Sequence, residues 1–281
     1  MNSKTNVKST SKPQIGIHIV LLIGALIMII PFFWMALTSF KTVSEATQMN
    51  PFVIFPSVWR TEAYTSVLSK MNFAKLYINT LILIVGRVAC AVITATMAGY
   101  AFARLEFPGK KLAFSLVLFQ MMVPAQIFII PQYLMVSKMN LLNSSFALIF
   151  PGLVSAFGTF LLRQNFMGLP KELEEASVLD GCNIGQTFLY VMLPLTKSAM
   201  VALGIFTAVF AYKDLMWPLV VNTDQATIPL SAALAKLQGQ FVADYPELMA
   251  ASMLAFIPMV IIYILFQRQF IEGIATSGGK L

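Results

Sequence analysis

Charged residues make up only 11% of this 281-residue chain, less than half of the ~25% usual in soluble domains. That shortage excludes an ordinary water-facing surface. Two cysteines, Cys90 and Cys182, are too few for a disulfide framework, and both read as unpaired thiols. The one histidine, His18, stands near the start of an apolar run and reads as a packing or interface residue rather than a ligand. No cluster of metal-ligating side chains, no nucleophile with a neighbouring base and no acid–base pair recommends catalysis. The G-x-x-x-x-G-K-[ST] phosphate loop is also missing. Gly278-Gly279-Lys280-Leu281 is too short a match and lacks the closing Ser or Thr. The chain is therefore expected to be no enzyme and to bind neither a cofactor nor a metal of its own. No fixed-period repeat or low-complexity tract occurs.

What the chain has is apolar length: 58% of its residues are hydrophobic and the mean hydropathy is +0.78. Six runs approach or exceed the ~20 residues a helix needs to cross the hydrocarbon core, at about 15–39, 73–102, 112–136, 143–165, 196–220 and 247–267. Strand-sized alternation is not the pattern, so helices must satisfy the backbone in lipid. The expected fold is an all-α membrane protein with six transmembrane helices. The first run is longer than the core of a cleavable signal and is read as a retained anchor. Trp34, Trp59 and Trp217 suit interface belts. Pro31, Pro124, Pro131, Pro151, Pro218 and Pro258 lie in or near spans, where prolines kink or break helices.

The net charge of +7 does not point to nucleic acid, because the basic residues gather at span ends. With both termini inside, the inner side collects Lys4, Lys8, Lys12, Arg104, Lys110, Lys111, Arg163, Lys171, Lys197, Arg268 and Lys280. The outer side collects Lys41, Arg60, Lys70, Lys75, Lys138 and Lys236. Eleven against six favours termini in the cytosol.

One inner loop, about 171–190, is a carboxylate-rich island between spans four and five. Pro170 suits a helix start, and Glu172, Glu174 and Glu175 fall in the first turns, where the helix dipole favours them. Gly181 permits a sharp reversal, a second short helix spans about Ile184–Val191, and Leu193-Pro194 resets the direction into span five. An amphipathic helix lying on the inner leaflet would carry basic residues on its polar face. This island has Glu172, Glu174, Glu175 and Asp180 with only Lys171 beside them, a pattern for docking on a protein. Small Ala176 and Ser177 permit close approach there.

The chain's most deeply placed charges are Arg87, Lys213 and Asp214. Charges within spans are rare, tend to pair, and point to function. Asp214 is expected to pair with Arg87 or Lys213; the alternative has Lys213 snorkelling outward and Asp214 in a wet vestibule.

Glu175-Ala176-Ser177 with Gly181, followed by Val191-Met192-Leu193-Pro194, resembles the E-A-A, three residues, G and I-x-L-P motif of ATP-binding-cassette importer permeases. Ser177 stands for the second Ala and Val191 for the Ile. Further stretches resemble the carbohydrate-uptake branch, the type of the smaller permease subunit of maltose transporters, over about residues 20–281. They include Asn79-Thr80-Leu81, Ala98–Arg104, Met122-Val123-Pro124, Phe160–Gln164, Leu169–Ala176, Trp217-Pro218-Leu219 and Phe270–Gly273. Where that branch usually has Asn-Glu before the Trp-Pro, this chain has Lys213-Asp214.

The resemblance implies a type I importer permease fold with a cytosolic arm over 1–14, a transmembrane domain over 15–270 and a cytosolic tail over 271–281. The tail either reaches the ATPases or is disordered. ATPase coupling falls to Glu172, Glu174, Glu175, Ala176, Ser177, Asp180 and Gly181, with Leu193 and Pro194 fixing the link to span five. The implied partners are a second, related permease, two ATPase subunits that hold the ATP and Mg, an extracytoplasmic solute-binding protein meeting the outer loop at 221–246, membrane lipid, and a sugar or oligosaccharide substrate; nucleic acid is not among them. The implied location is the plasma or inner membrane. Competing readings are an importer permease for a non-sugar solute, an ATP-independent secondary carrier, and a non-transporting scaffold.

Overall fold

The computed structural model describes residues 15–237 and 244–278. The arm at 1–14, residues 238–243 of the outer loop and the last three residues of the tail lie outside them. The chain forms two units: residues through Lys70 with Gln240–Leu254, and Met71–Gly239 with Ala255–Leu281.

In the first unit, α1 (Ile15–Thr38) is apolar on every face, and its apolar surface is exposed along nearly its whole length, as a lipid-facing helix requires. It ends where Thr38, Ser39 and Lys41 become buried. Lys41 Nζ donates to the Val53 carbonyl at 2.7 Å and lies 4.0 Å above the Trp34 ring; burial lowers its pKa. Thr42 and Glu45 form a reciprocal capping box on α2 (Val43–Thr47). Glu45 also accepts from the hydroxyl and the backbone N–H of Ser57. These donors, Ser57 first, hold its carboxyl down at about 2. α3 (Glu62–Lys70) closes the segment, and Lys70 pairs with Glu247 at 2.6 Å.

The second unit contains α4 (Phe73–Arg104), α5 (Lys110–Met122), α6 (Ile129–Lys138), α7 (Ser145–Ile149), α8 (Ala156–Met167), α9 (Glu172–Leu179), α10 (Ile184–Gln186), α11 (Leu193–Leu195), α12 (Lys197–Lys213), α13 (Met216–Val221) and α14 (Leu230–Leu237). The last helix, α15 (Tyr245–Gly278), gives its residues through Leu254 to the first unit and runs on past 270 without a break. No strand occurs among the described residues.

α4 is the spine of this unit. Leu76, Thr80, Leu83, Arg87, Ala91 and Ala95 recur every three or four residues and are buried as one stripe. Small residues let α8 come close: a Cβ on Gly99 would stand 2.9 Å from the Arg163 backbone nitrogen, and one on Gly158 would stand 2.9 Å from the Ala95 Cβ. Close backbone approach of this kind is how helices associate in lipid.

Among the described residues, three helices are long and apolar enough to cross a membrane: Ile15–Thr38, Phe73–Arg104 and Tyr245–Ile264. Three bent pairs raise the total to as many as six. Lys110–Met122 meets Ala125–Lys138 at 104°, Ser145–Gly152 meets Ala156–Met167 at 46°, and Ile184–Leu195 meets Lys197–Lys213 at 73°. The first two bends carry Pro124 and Pro151, which remove backbone donors. The run expected at 196–220 is not one helix, since α12 ends at an extended Asp214 (φ −64°, ψ 120°) before α13 begins. Trp217, expected at an interface, is instead buried, and its indole donates to the Ala147 carbonyl at 2.7 Å.

Candidate functional site

The island folds as two short helices around a tight reversal. Glu172, Glu174 and Glu175 occupy the first turn of α9, where the unpaired N–H groups favour them. α9 closes with a Schellman arrangement, Cys182 N–H to Ser177 O at 2.9 Å and Gly181 N–H to Val178 O at 3.0 Å. Gly181 takes φ +84°, a conformation a β-carbon resists. Asn183 and Gln186 then form a capping box that starts α10. Residues Thr187–Met192 continue as π-helix into Leu193-Pro194. Pro194 lacks an N–H and its ring crowds the carbonyl four residues back, which accounts for the widened turn.

Ser177 fixes the two helices to each other. It is buried, its hydroxyl donates to the Glu174 carbonyl, and it lies 2.8 Å from the Thr187 hydroxyl. Glu172, Glu175, Ala176, Asp180 and Gly181 are exposed, Leu193 is half-buried and Pro194 is exposed. Around the reversal stand bare apolar side chains, Val178 (64% exposed), Leu179 (88%) and Ile184 (62%).

Glu174 differs from the other carboxylates, for it turns inward to Arg104, whose Nε lies 3.6 Å from its Oε2. The Arg104 side chain is 6% exposed, and its Nη2 donates to the carbonyls of Phe166 and Leu169 at 2.7 and 2.6 Å. Arg104, the last residue of α4, thus joins that helix to the end of α8 and to α9. A cleft of about 640 Å³ lies beside it, lined by Tyr100, Glu174, Val178, Asn183 and Thr187 among others. The sequence marks Arg104 as an orientation charge and as the end of a stretch that resembles the family's second span, with no coupling role.

The structure brings Arg87 and Asp214 together, Nη1 to Oδ2 at 2.7 Å, with side chains 9% and 22% exposed. Arg87 Nε donates to the Leu148 carbonyl at 2.9 Å. Asp214 Oδ1 accepts from Trp217 N–H, and its own carbonyl accepts from Ser231. Lys213 is exposed and has no carboxylate within ion-pair distance among the described residues. All three border a cavity of about 460 Å³.

The loop after Val221 is fastened to α4 by residues that the sequence marked only by resemblance. Asn79 Nδ2 donates to the carbonyls of Ala226 and Ile228, both at 3.0 Å. The Thr80 hydroxyl accepts from Leu230 N–H at 2.9 Å.

Residues 91–275 match the family described as binding-protein-dependent transport system inner membrane component. The chain is 31% identical to the diacetylchitobiose uptake system permease protein NgcG of Streptomyces coelicolor, over 93% of this chain and 87% of that protein. It is 32% identical to the arabinooligosaccharides transport system permease protein AraQ of Halalkalibacterium halodurans, over 91% and 92%. It is 28% identical to the sn-glycerol-3-phosphate transport system permease protein UgpE of Yersinia pestis, over 92% and 95%. Its fold matches a chain of a bacterial ABC transporter involved in the import of the acidic polysaccharide alginate, with a TM-score of 0.77 at 24% identity over 90% of this chain and 95% of that one.

Proposed function

The chain belongs to the binding-protein-dependent transport system inner membrane component family, and on that premise we propose that it is the permease subunit of an ATP-driven importer for a sugar or oligosaccharide. Two of the relatives named above are permeases for diacetylchitobiose and arabinooligosaccharides, which supports a saccharide substrate. The observation that carries the mechanism is the build of residues 172–195: an internally locked helix pair that presents carboxylates and bare apolar side chains outward. A rigid, amphipathic protrusion of this kind fits a groove on a protein.

The partners are a second, related permease, two ATPase subunits that hold ATP and Mg, and a solute-binding protein that meets the outer loop beyond Val221. Both termini and the helix pair lie on the ATPase side. When the ATPases close on ATP they pull on α9 and α10. Ser177 and Thr187 make the pair move as one body, Leu193-Pro194 passes the motion to α12, and Arg104 passes it to α4 and α8. Glu172 and Glu175 meet the ATPase, while Glu174 positions α9 against Arg104.

The test is ATP-dependent uptake of labelled saccharides by proteoliposomes of the purified complex, with and without Glu175→Lys. Uptake of a saccharide that the substitution abolishes while the complex still assembles is the expected result. Uptake that persists without ATP would overturn the reading in favour of a secondary carrier.

A further inference from the structure

We propose that the cavity bordered by Arg87, Lys213 and Asp214 is a solute subsite that takes an oxyanion carried on the translocated saccharide, with Lys213 as its counter-charge. The inference rests on the importer reading above and narrows its substrate class.

Three features converge on this cavity. The first is its depth. Arg87 stands near the middle of α4, fourteen residues from Phe73 and seventeen from Arg104, or roughly 20–25 Å from either end at ~1.5 Å per residue. The second is the backbone around it. Ala125 and Gln126 follow the 104° bend, Pro151 belongs to the 46° bend, and Asp214 ends α12. Non-helical backbone at membrane depth is tolerated only where protein buries it or where it lines a water-filled cavity. Three interruptions from three spans open on this one space, as the lining of a water-filled pathway would.

The third is its charge. The Arg87 charge is balanced by Asp214, with Nη1 on that carboxylate and Nε on the Leu148 carbonyl, which leaves its buried Nη2 without a hydrogen-bond partner among the described residues; Asp214 is held by Arg87 and the Trp217 N–H. Asp214 is the only carboxylate lining the cavity among the described residues. Lys213 therefore leaves one positive charge uncompensated at a depth where charges are costly and mark solute or ion pathways. Its flexible ammonium binds carboxylate or phosphate as a point charge, without demanding one planar geometry. Gln126 and Gln132 add amide donors and acceptors for hydroxyl groups. At about 460 Å³ the cavity falls within the range of small-molecule sites. A uronic acid and a sugar phosphate share the required chemistry, an oxyanion on a polyhydroxylated ring.

The experiment is ATP-driven uptake by the full complex in proteoliposomes, with one wild-type binding protein throughout, so that any change belongs to the permease. The probes are neutral oligosaccharides, uronate oligosaccharides and sugar phosphates. The expected result is that wild type carries one of the two anionic classes, that Lys213→Gln raises the KM for it about tenfold, and that Lys213→Arg restores it. Which class is carried distinguishes carboxylate from phosphate. The same preference for anionic over neutral saccharides in wild type and Lys213→Gln would overturn the subsite. Uptake of neutral saccharides alone would overturn it while leaving the importer reading intact, and ATP-driven uptake of no saccharide would sink both. If Lys213→Gln fails to assemble, a complex whose only tryptophan in this chain is Trp217 (Trp34→Phe, Trp59→Phe) supplies the readout. Titration with each probe should shift its fluorescence for the anionic saccharides alone; an equal response to neutral ones would overturn the proposal.

Discussion

At the scale of single residues, the carboxylates that look alike in sequence divide their work. Glu172 and Glu175 face outward, while Glu174 and Arg104 hold each other inside. Hydrogen bonds that involve a charged group contribute about 1.5–3 kcal/mol each, and Arg104 makes two such bonds to carbonyls at the end of the α8 segment. Arg104→Gln is therefore expected to loosen α9 from α4 and α8 while Glu172 and Glu175 stay free to dock. The expected outcome is a complex that still assembles and hydrolyses ATP but moves about tenfold less solute per ATP, measured as uptake against phosphate release in the same proteoliposomes. An unchanged ratio would deny Arg104 a part in transmission. Nothing in the linear sequence separates Arg104 from the other basic residues at span ends, because its role depends on carbonyls more than sixty residues away. Lys41 was hidden in the same way: it counted as an outer charge, yet it is buried against Trp34 and the Val53 carbonyl.

At the scale of elements, the spans were legible where apolar length alone decides them, as in α1 and α4, and less so where a proline interrupts the run. Pro124 and Pro151 flag a break, but the size of each bend depends on which neighbours satisfy the freed backbone groups. The helix pair at 172–195 was legible because its signals are local: acidic first turn, Gly181 at the reversal, Pro194 at the exit. The buried Trp217 was not, since an indole near a span end suits a membrane interface as well as it suits the carbonyl of Ala147. The crossing of α4 with α8 gives the sharpest element-scale test. At Gly99 a new β-carbon would meet Arg163 backbone, which cannot swing aside as a side chain would. Gly99→Leu is expected to destabilise the second unit by about 1–3 kcal/mol, the usual cost of overpacking, and to lower the thermal midpoint of the detergent-purified chain. Gly16→Leu, which meets nothing within 4 Å on exposed α1, is the control expected to leave it unchanged.

At the scale of the whole molecule, the helix pair can couple to ATPases only if it lies on their side of the membrane, and the chain carries its own reporter of this. Cys182 follows Gly181 at the reversal and is partly exposed, while Cys90 stands inside the α4 span. The excess of basic residues, eleven against six, favours a topology with Arg104, Lys110, Lys111, Arg163, Lys171 and Lys197 on the inner side together with the 172–195 pair. In a Cys90→Ser background, a membrane-impermeant maleimide is therefore expected to label Cys182 in inside-out vesicles and to leave right-side-out vesicles unlabelled. Adding the ATPase subunits to inside-out vesicles should then slow labelling, because the docking proposed above, on Glu175 and its exposed neighbours Leu179 and Ile184, would cover the reversal where Cys182 sits. Labelling from the outer side would invert the topology and remove the coupling role at once. Inner-side labelling that the ATPases leave unchanged would keep the topology and move the docking surface elsewhere on the chain.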